Sequence, residues 1–181
     1  MGFNVMVGQS GGPTSVINAS LAGIFQNAIR RGADHVYGMR NGIQGFLEER
    51  LVDMSEVIRS NLDFEILKRT PSSFLGSCRY RLPQPQEDEA PFRRIFDLLK
   101  KYDIQAFFYI GGNDSMDTID KLSRYGAWIG SPIRFIGVPK TIDNDLELTD
   151  HTPGYGSAAK YIGVVLKEII LDAREIGRAH V

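Results

Sequence analysis

Four short apolar segments alternate along this chain with stretches whose apolar residues recur at helical spacing. The apolar segments cover residues 3–7, 35–39, 105–110 and 133–138, and turn-forming residues bound each of them. Strand and helix repeated in this order predict a mostly parallel sheet with helices on both faces and right-handed crossovers. The predicted fold class is therefore α/β, and 181 residues are enough for one domain with its own core.

A helical stretch follows each of the four strands along the chain. Helices are expected to include residues 17–28, 92–102, 116–122 and 158–169. The apolar stripe of the last helix, which contains Ile162 and Ile169, is expected to belong to the core.

Two regions between these elements have weaker patterns. Residues 41–45 contain two glycines and are expected to form a loop, and residues 51–67 to form a short strand followed by one helix. That helix is expected to turn Val57, Ile58 and Leu62 inward.

Charge and composition exclude several classes of partner. The net charge is −1, so there is no electrostatic argument for binding to nucleic acid or to a membrane surface. No apolar run approaches the length of a membrane span, and residues 1–7 lack the layout of a signal peptide. The single cysteine, Cys78, excludes an internal disulfide and agrees with a cytoplasmic location.

Polar and glycine-rich loops follow three of the four strands. They carry Gly11-Gly12, then Asn113-Asp114, then the segment from Lys140 to Asp145. The carboxyl ends of parallel strands lie at one edge of a sheet, where ligands of open α/β folds bind. We therefore expect the three loops to converge on one crevice.

The residue types in these loops suit phosphate chemistry. A strand, a glycine-rich loop and a helix can receive an anion through backbone N–H groups, although the spacing here matches neither the P-loop nor the dinucleotide fingerprint. Asp143 and Asp145 are two residues apart, and such a pair suits a metal ion, a general base or both. With Lys140 beside them they favour phosphoryl transfer, but the same residue types also occur in ordinary loops.

Four motifs in the same order resemble the 6-phosphofructokinases, and the likeness extends from about Asn4 to Lys160. The motifs are Ser10-Gly11-Gly12, residues 74–80, residues 111–115 and residues 139–145. Within that family the chain resembles the pyrophosphate-dependent branch, because ATP-using members have glycine where Asp114 and Lys140 stand. The resemblance implies that residues 1–181 form a Rossmann-like donor-binding domain, with a second sugar-phosphate domain missing.

The resemblance also implies catalytic roles. Asp143 would take the proton from the 1-hydroxyl of fructose 6-phosphate, and Thr141 would contact the transferred phosphoryl group, so both would bind substrate. Lys140 would neutralise the phosphoryl group in transfer. A carboxylate at Asp114 would exclude the larger donor ATP in space and in charge.

Binding roles follow from the same likeness. The pyrophosphate-binding residues would be Gly11, Gly12, Arg79 and Ser115, and the residues associated with Mg²⁺ would be Asn113 and Asp145. The family commonly has Asp where this chain has Asn113, and Asn offers an oxygen with less charge. Without the resemblance, Arg79 and Arg81 could equally be solvated surface arginines.

The implied activity is Mg²⁺-dependent, reversible transfer of phosphate from pyrophosphate to fructose 6-phosphate in glycolysis, by a cytoplasmic homo-oligomer, a dimer or tetramer. Two alternatives remain open: an ATP-dependent sugar kinase of the same fold, and a non-catalytic phosphate-binding or regulatory subunit. A nicotinamide-dependent dehydrogenase is the weakest reading, because its glycine spacing is absent.

Overall fold

The computed structural model describes residues 2–178 and contains a five-stranded sheet in the order β3-β2-β1-β4-β5. Its strands are β1 (Phe3–Gln9), β2 (Ala33–Met39), β3 (Leu51–Asp53), β4 (Ile104–Gly111) and β5 (Arg134–Pro139). All neighbouring strands pair in parallel except β3, which runs antiparallel to β2. The prediction of a mostly parallel sheet is confirmed.

Helices connect the strands and cover both faces of the sheet. They are α1 (Ile17–Arg30), α2 (Gly42–Leu47), α3 (Met54–Val57), α4 (Asn61–Arg69), α5 (Ala90–Lys101), α6 (Asn113–Trp128) and α7 (Tyr155–Arg178). None of the helices within residues 2–178 is both long and apolar enough to cross a bilayer.

The alternation of side chains along the central strand β1 divides the core into two clusters. Met6 belongs to a cluster with residues of α2, α5 and α6, whereas Val5 and Val7 belong to a cluster with residues of α1, α3 and α4. Successive side chains of a strand point to opposite faces, so one strand supplies both clusters. The predicted layers of helix, sheet and helix are therefore confirmed.

The expected loop at residues 41–45 is wrong, because the chain forms helix α2 from Gly42 to Leu47. Asn41 and Gly42 do have positive φ angles of 56° and 58°, as the turn-like composition suggests. The helical turn that follows buries Ile43 and Phe46 completely in the core. Burial of two apolar side chains therefore decides the local structure against the turn signal.

Residues 51–69 form a short strand followed by two short helices, whereas a single helix was expected after the strand. The Asp53 carboxylate accepts a hydrogen bond from the Ser55 amide and starts α3, and the Ser60 hydroxyl accepts one from the Asp63 amide and starts α4. Because α4 begins separately at the Ser60 cap, its apolar face differs from the one expected for a single continuous helix. Leu62 is consequently 67% exposed, whereas Leu67 is buried, so the prediction that Leu62 turns inward is wrong.

The last strand and the last helix are less buried than their apolar sequences suggest. Strand β5 lies at the edge of the sheet, and its side chains are half-buried or exposed. The stripe of α7 was expected in the core, but Ile162 and Ile169 are 55% and 56% exposed. Neither core cluster includes any of the α7 side chains that the structure describes.

Candidate functional site

A crevice of about 440 Å³ opens at the carboxyl edge of the sheet, beyond β1, β4 and β5. Four segments line it: Ser10–Thr14, Cys78–Arg81, Gly112–Ser115 and Lys140–Asp143. Three of these segments directly follow neighbouring parallel strands, so the predicted convergence of the loops is confirmed.

The glycine loop after β1 is held by hydrogen bonds from outside itself. Gly11 has a φ of +75°, a conformation that favours glycine. Its amide donates to the carbonyl of Cys78 at 3.3 Å, and its carbonyl accepts from the Ser77 hydroxyl at 2.5 Å. At the exposed Gly12 a Cβ would meet no atom within 4 Å, so this stretch of backbone is open to a ligand.

Lys140 places a positive charge directly beneath the glycine loop. Its side chain is 97% buried (3% exposed), and its Nζ donates to the carbonyl of Gly12 at 2.6 Å. Burial lowers the pKa of Lys140, and the nearby carboxylate of Asp143 partly opposes this effect. The structure thus holds a partly desolvated ammonium group where the backbone can receive an anion.

The segment that carries Asp143 is tied to the chain ahead of α7. The amide of Thr141 donates to the carbonyl of Pro153 at 3.0 Å, and the carbonyl of Thr141 accepts from the Thr152 hydroxyl at 3.0 Å. The hydroxyl of Thr141 accepts from the amide of Asp143 at 3.1 Å. The exposed Asp143 carboxylate therefore stands on a backbone that is fixed on both sides of the turn.

Asn144 completes this turn through its side chain. Its φ is +54°, a left-handed conformation that Asn tolerates better than most residues. Its Oδ1 accepts from the amide of Thr152 at 2.9 Å, and its Nδ2 donates to the carbonyl of Asp150 at 3.2 Å. Two hydrogen bonds to residues six and eight positions later close the loop that carries Asp143 and Asp145.

The start of α6 brings a further carboxylate and a link to Asp145. Asp114 lies in the first turn of the helix, where a negative charge complements the helix dipole, and its side chain is exposed at the crevice. The Nδ2 of Asn113 donates to Oδ2 of Asp145 at 2.7 Å, which leaves its Oδ1 free to accept. Asp145 itself does not line the crevice, and it reaches the site through Asn113.

The remaining expected site residues also border the crevice. Arg79 and Arg81 both line it with exposed side chains, and Ser115 lines it from a buried position. Thr14 and Tyr80 also contribute to the wall, although no role was assigned to either of them from the sequence. Their place in the wall depends on the approach of the 70–81 loop to the glycine loop, which the sequence does not reveal.

The crevice therefore combines the features that an anionic phosphate donor needs. Open glycine backbone, a buried ammonium group and an exposed arginine supply positive potential, and the carboxylates of the same crevice supply a base or metal ligands. A neutral ligand would use little of this charge. The geometry suits transfer of a phosphoryl group.

Comparison with known proteins agrees with this geometry. Residues 4–181 match the family described as Phosphofructokinase. A pyrophosphate–fructose 6-phosphate 1-phosphotransferase of Xanthomonas campestris pv. campestris is 46% identical over 169 residues, which cover 93% of this chain and 40% of that protein. An ATP-dependent 6-phosphofructokinase of Vibrio cholerae is 36% identical over 149 residues, covering 82% of this chain and 42% of that protein.

The fold comparison gives the same result. The crystal structure of a pyrophosphate-dependent phosphofructokinase from Nitrosospira multiformis superposes with a TM-score of 0.85 and 43% identity, over 93% of this chain and 41% of that one. The chain spans about 40% of the length of the curated relatives with the pyrophosphate name that match it at 41–46% identity. The chain belongs to the phosphofructokinase family.

Proposed function

We propose that this chain forms the phosphoryl-donor site of a pyrophosphate-dependent 6-phosphofructokinase, which transfers phosphate reversibly from pyrophosphate to fructose 6-phosphate. The observation that carries the proposal is the buried Lys140 beneath the Gly11-Gly12 loop, with Asp114 lining the same crevice. Relatives with the pyrophosphate name reach 46% identity, compared with 36% for the ATP-dependent relative of Vibrio cholerae.

The two charges together select a small donor. Pyrophosphate places its whole charge close to the Lys140 ammonium and the open glycine backbone. A larger donor such as ATP must extend past the start of α6, where the Asp114 carboxylate repels a further phosphate and occupies its space. Selectivity therefore rests on attraction at one end of the crevice and repulsion at the other.

The transfer step uses the segment after β5. Asp143 accepts the proton of the sugar 1-hydroxyl as that oxygen attacks phosphorus, and Thr141, bonded to the Asp143 amide at 3.1 Å, contacts the transferred phosphoryl group. Lys140 stabilises the charge that develops on the transferring group and the leaving phosphate. Gly11, Gly12, Arg79 and Ser115 hold the pyrophosphate.

The carboxylates fit a Mg²⁺ ion that arrives with its phosphate ligand. Asp145 offers carboxylate oxygens, and Asn113, whose Nδ2 is engaged by Asp145, presents its Oδ1. Within residues 2–178, no group of three or more His, Cys, Asp or Glu side chains is arranged to hold a metal ion. Mg²⁺ commonly uses one or two carboxylates with water and substrate phosphates, so this sparse set suits it. The bound ion would neutralise phosphate charge.

We assign binding of the sugar phosphate mainly to a second domain. The exposed apolar face of α7, which includes Ile162, Ile169 and Ile176, is the surface that such a domain would cover. We further propose that the complete enzyme is a homo-oligomer and acts in glycolysis in the cytoplasm.

A chimaera tests this function. Residues 1–176 are joined to the remainder of the Xanthomonas campestris relative, and formation of fructose 1,6-bisphosphate is followed by ³¹P NMR, together with release of orthophosphate from pyrophosphate or of ADP from ATP. The proposal expects turnover with pyrophosphate and fructose 6-phosphate, and its loss in Asp143→Asn. Turnover with ATP but not with pyrophosphate would assign the chain to the ATP-dependent alternative. Pyrophosphate binding without turnover in a folded chimaera would favour a non-catalytic subunit.

A further inference from the structure

Two completely buried amide side chains lie behind the crevice and do not line it. Gln9 ends β1, and Asn18 lies in the first turn of α1. Nε2 of Gln9 donates to Oδ1 of Asn18 at 3.0 Å and to the carbonyl of Ile17 at 3.1 Å. We call this bonded pair the amide clamp.

The other polar atoms of the amide clamp hold the segment 70–75. Oε1 of Gln9 accepts from the Ser73 hydroxyl at 2.8 Å and from the Leu75 amide at 2.9 Å. Oδ1 of Asn18 accepts from the Phe74 amide at 2.9 Å, and its Nδ2 donates to the carbonyl of Thr70 at 2.9 Å. The clamp therefore fixes three consecutive loop residues and one preceding carbonyl.

This arrangement is specific to polar side chains. Apolar residues of similar size could fill the same space, but they would leave the buried amide of Leu75 and the partly buried amide of Phe74 and carbonyl of Thr70 without these partners. Each unsatisfied buried group is costly, so the loop would move to find new partners. The clamp thus decides where the segment 70–75 lies relative to β1.

Arg79 lies four residues after Leu75, at which the clamped segment ends. Between them, the Cys78 carbonyl accepts from the Gly11 amide and from the Ser10 hydroxyl, both at 3.3 Å. The Arg79 side chain itself makes no hydrogen bond or ion pair with the residues whose contacts the structure describes. Its guanidinium is consequently positioned by its backbone alone.

We infer that Gln9 and Asn18 are positioning residues for pyrophosphate, which act by holding the Arg79 backbone against the glycine loop. This inference rests on the proposed function, because it concerns the same donor site. It adds two residues that touch no ligand and determine how one ligand-binding residue is presented. Groups that support a binding residue in this way commonly change affinity by one or two orders of magnitude when they are removed.

A double-mutant cycle on the 181-residue chain tests the inference. The dissociation constant of magnesium pyrophosphate is measured by calorimetry for the unmodified chain, Asn18→Leu, Arg79→Ala and the double variant. If the clamp acts through Arg79, Asn18→Leu weakens binding about tenfold in the unmodified chain and less than about twofold in the Arg79→Ala chain. An equal loss in both backgrounds would mean a general structural effect and would overturn the inference.

Ser73→Ala addresses the same contact from the loop side, in case Asn18→Leu does not fold. It removes one hydroxyl donor to Gln9 from a partly exposed loop, and its expected effect on pyrophosphate binding is again smaller in the Arg79→Ala background. Ser123→Ala is the control, since Ser123 is exposed on α6 and lies outside the loop that the clamp holds. Equal weakening by the two serine variants would contradict the inference.

Hydrogen exchange separates failure of the clamp from failure of the proposed function. Without ligand, Asn18→Leu is expected to accelerate exchange at the amides of Phe74 and Leu75. Faster exchange with unchanged pyrophosphate affinity would overturn the inference and leave the proposed function intact. No binding of pyrophosphate to the unmodified, folded chain would overturn the donor site itself, and the positioning role with it.

Discussion

At the scale of single residues, Lys140 links the electrostatics of the crevice to pH. Burial lowers its pKa, so there is an alkaline range in which part of Lys140 is neutral in the folded chain and charged in the unfolded one. In that range the unfolded chain binds more protons, and Lys140 therefore makes the free energy of unfolding increase with pH. A bound phosphate anion favours the charged form and raises the pKa again.

The first prediction follows from this sign. Pyrophosphate binding in the alkaline range should take up a proton at Lys140, so affinity should fall as pH rises through the range. Calorimetry in two buffers of different ionisation enthalpy measures the uptake. Part of the proton uptake comes from pyrophosphate itself, and Lys140→Met should abolish the remainder. Lys100→Met, which replaces an exposed lysine at the end of α5, should retain that remainder. Identical proton uptake in the two variants would refute the role of Lys140.

The second prediction concerns Asp114. Asp114→Gly should allow ATP to bind, because both the negative charge and the side-chain volume at the start of α6 are removed. Asp114→Asn removes the charge and retains the volume, so it should admit ATP less well. The glycine also costs about 1 kcal/mol of helix stability, which thermal unfolding can measure separately. If neither folded variant gains ATP binding, Asp114 does not select the donor.

The residue types at these positions were readable from the sequence, but their environments were not. Lys140 and Asp114 stand in recognisable loops after strands, and their charges already suggest phosphate chemistry. That Lys140 is almost fully buried, and that its Nζ meets the carbonyl of Gly12, depends on contacts between residues 128 positions apart. The contacts of Gln9 and Asn18 could not be predicted either, because their hydrogen-bond partners come from a loop that has no periodic pattern.

At the scale of elements, the loop between β5 and α7 depends on one side chain. The third prediction is that Asn144→Ala destabilises the protein by about 2 kcal/mol, because two hydrogen bonds are lost and a left-handed residue becomes less favourable. Asn144→Asp keeps the acceptor for the Thr152 amide and should lose about half as much. Chemical denaturation measures both values. A loss below about 0.5 kcal/mol in Asn144→Ala would show that the turn is held by other contacts.

Regular elements were predicted where periodicity and burial agree. Strands β1, β2 and β4 and helices α1, α5 and α6 lie where the apolar patterns indicate, because their buried faces follow the period of a strand or a helix. Helix α2 was missed, since it is short and its burial outweighs two glycines. The division of α3 and α4 depends on caps at Asp53 and Ser60 within a region that reads as one stripe.

At the scale of the whole molecule, helix α7 stands apart from the core. The sequence shows its stripe clearly, but an apolar stripe does not reveal which surface will cover it. In the described part of the chain neither core cluster includes α7, and most of its large apolar side chains are at least half exposed. The stability of the domain should therefore be independent of these side chains.

The fourth prediction compares the same substitution at two places. Leu98→Ala, in the core between α5 and the sheet, should cost about 3 kcal/mol of unfolding free energy. Leu166→Ala, at a site 52% exposed on α7, should change it by less than about 0.5 kcal/mol. Chemical denaturation of dilute samples provides the measurement. Equal losses would show that α7 packs against the domain, contrary to the fold described here.

The most direct test of the donor site is calorimetric titration of magnesium pyrophosphate into the chain, with magnesium ATP titrated in parallel. The buried Lys140 beneath open glycine backbone and the Asp114 carboxylate in the same crevice predict binding of pyrophosphate and no measurable binding of ATP. Binding of ATP without binding of pyrophosphate would contradict the proposed pyrophosphate site and would assign the crevice to a nucleotide donor.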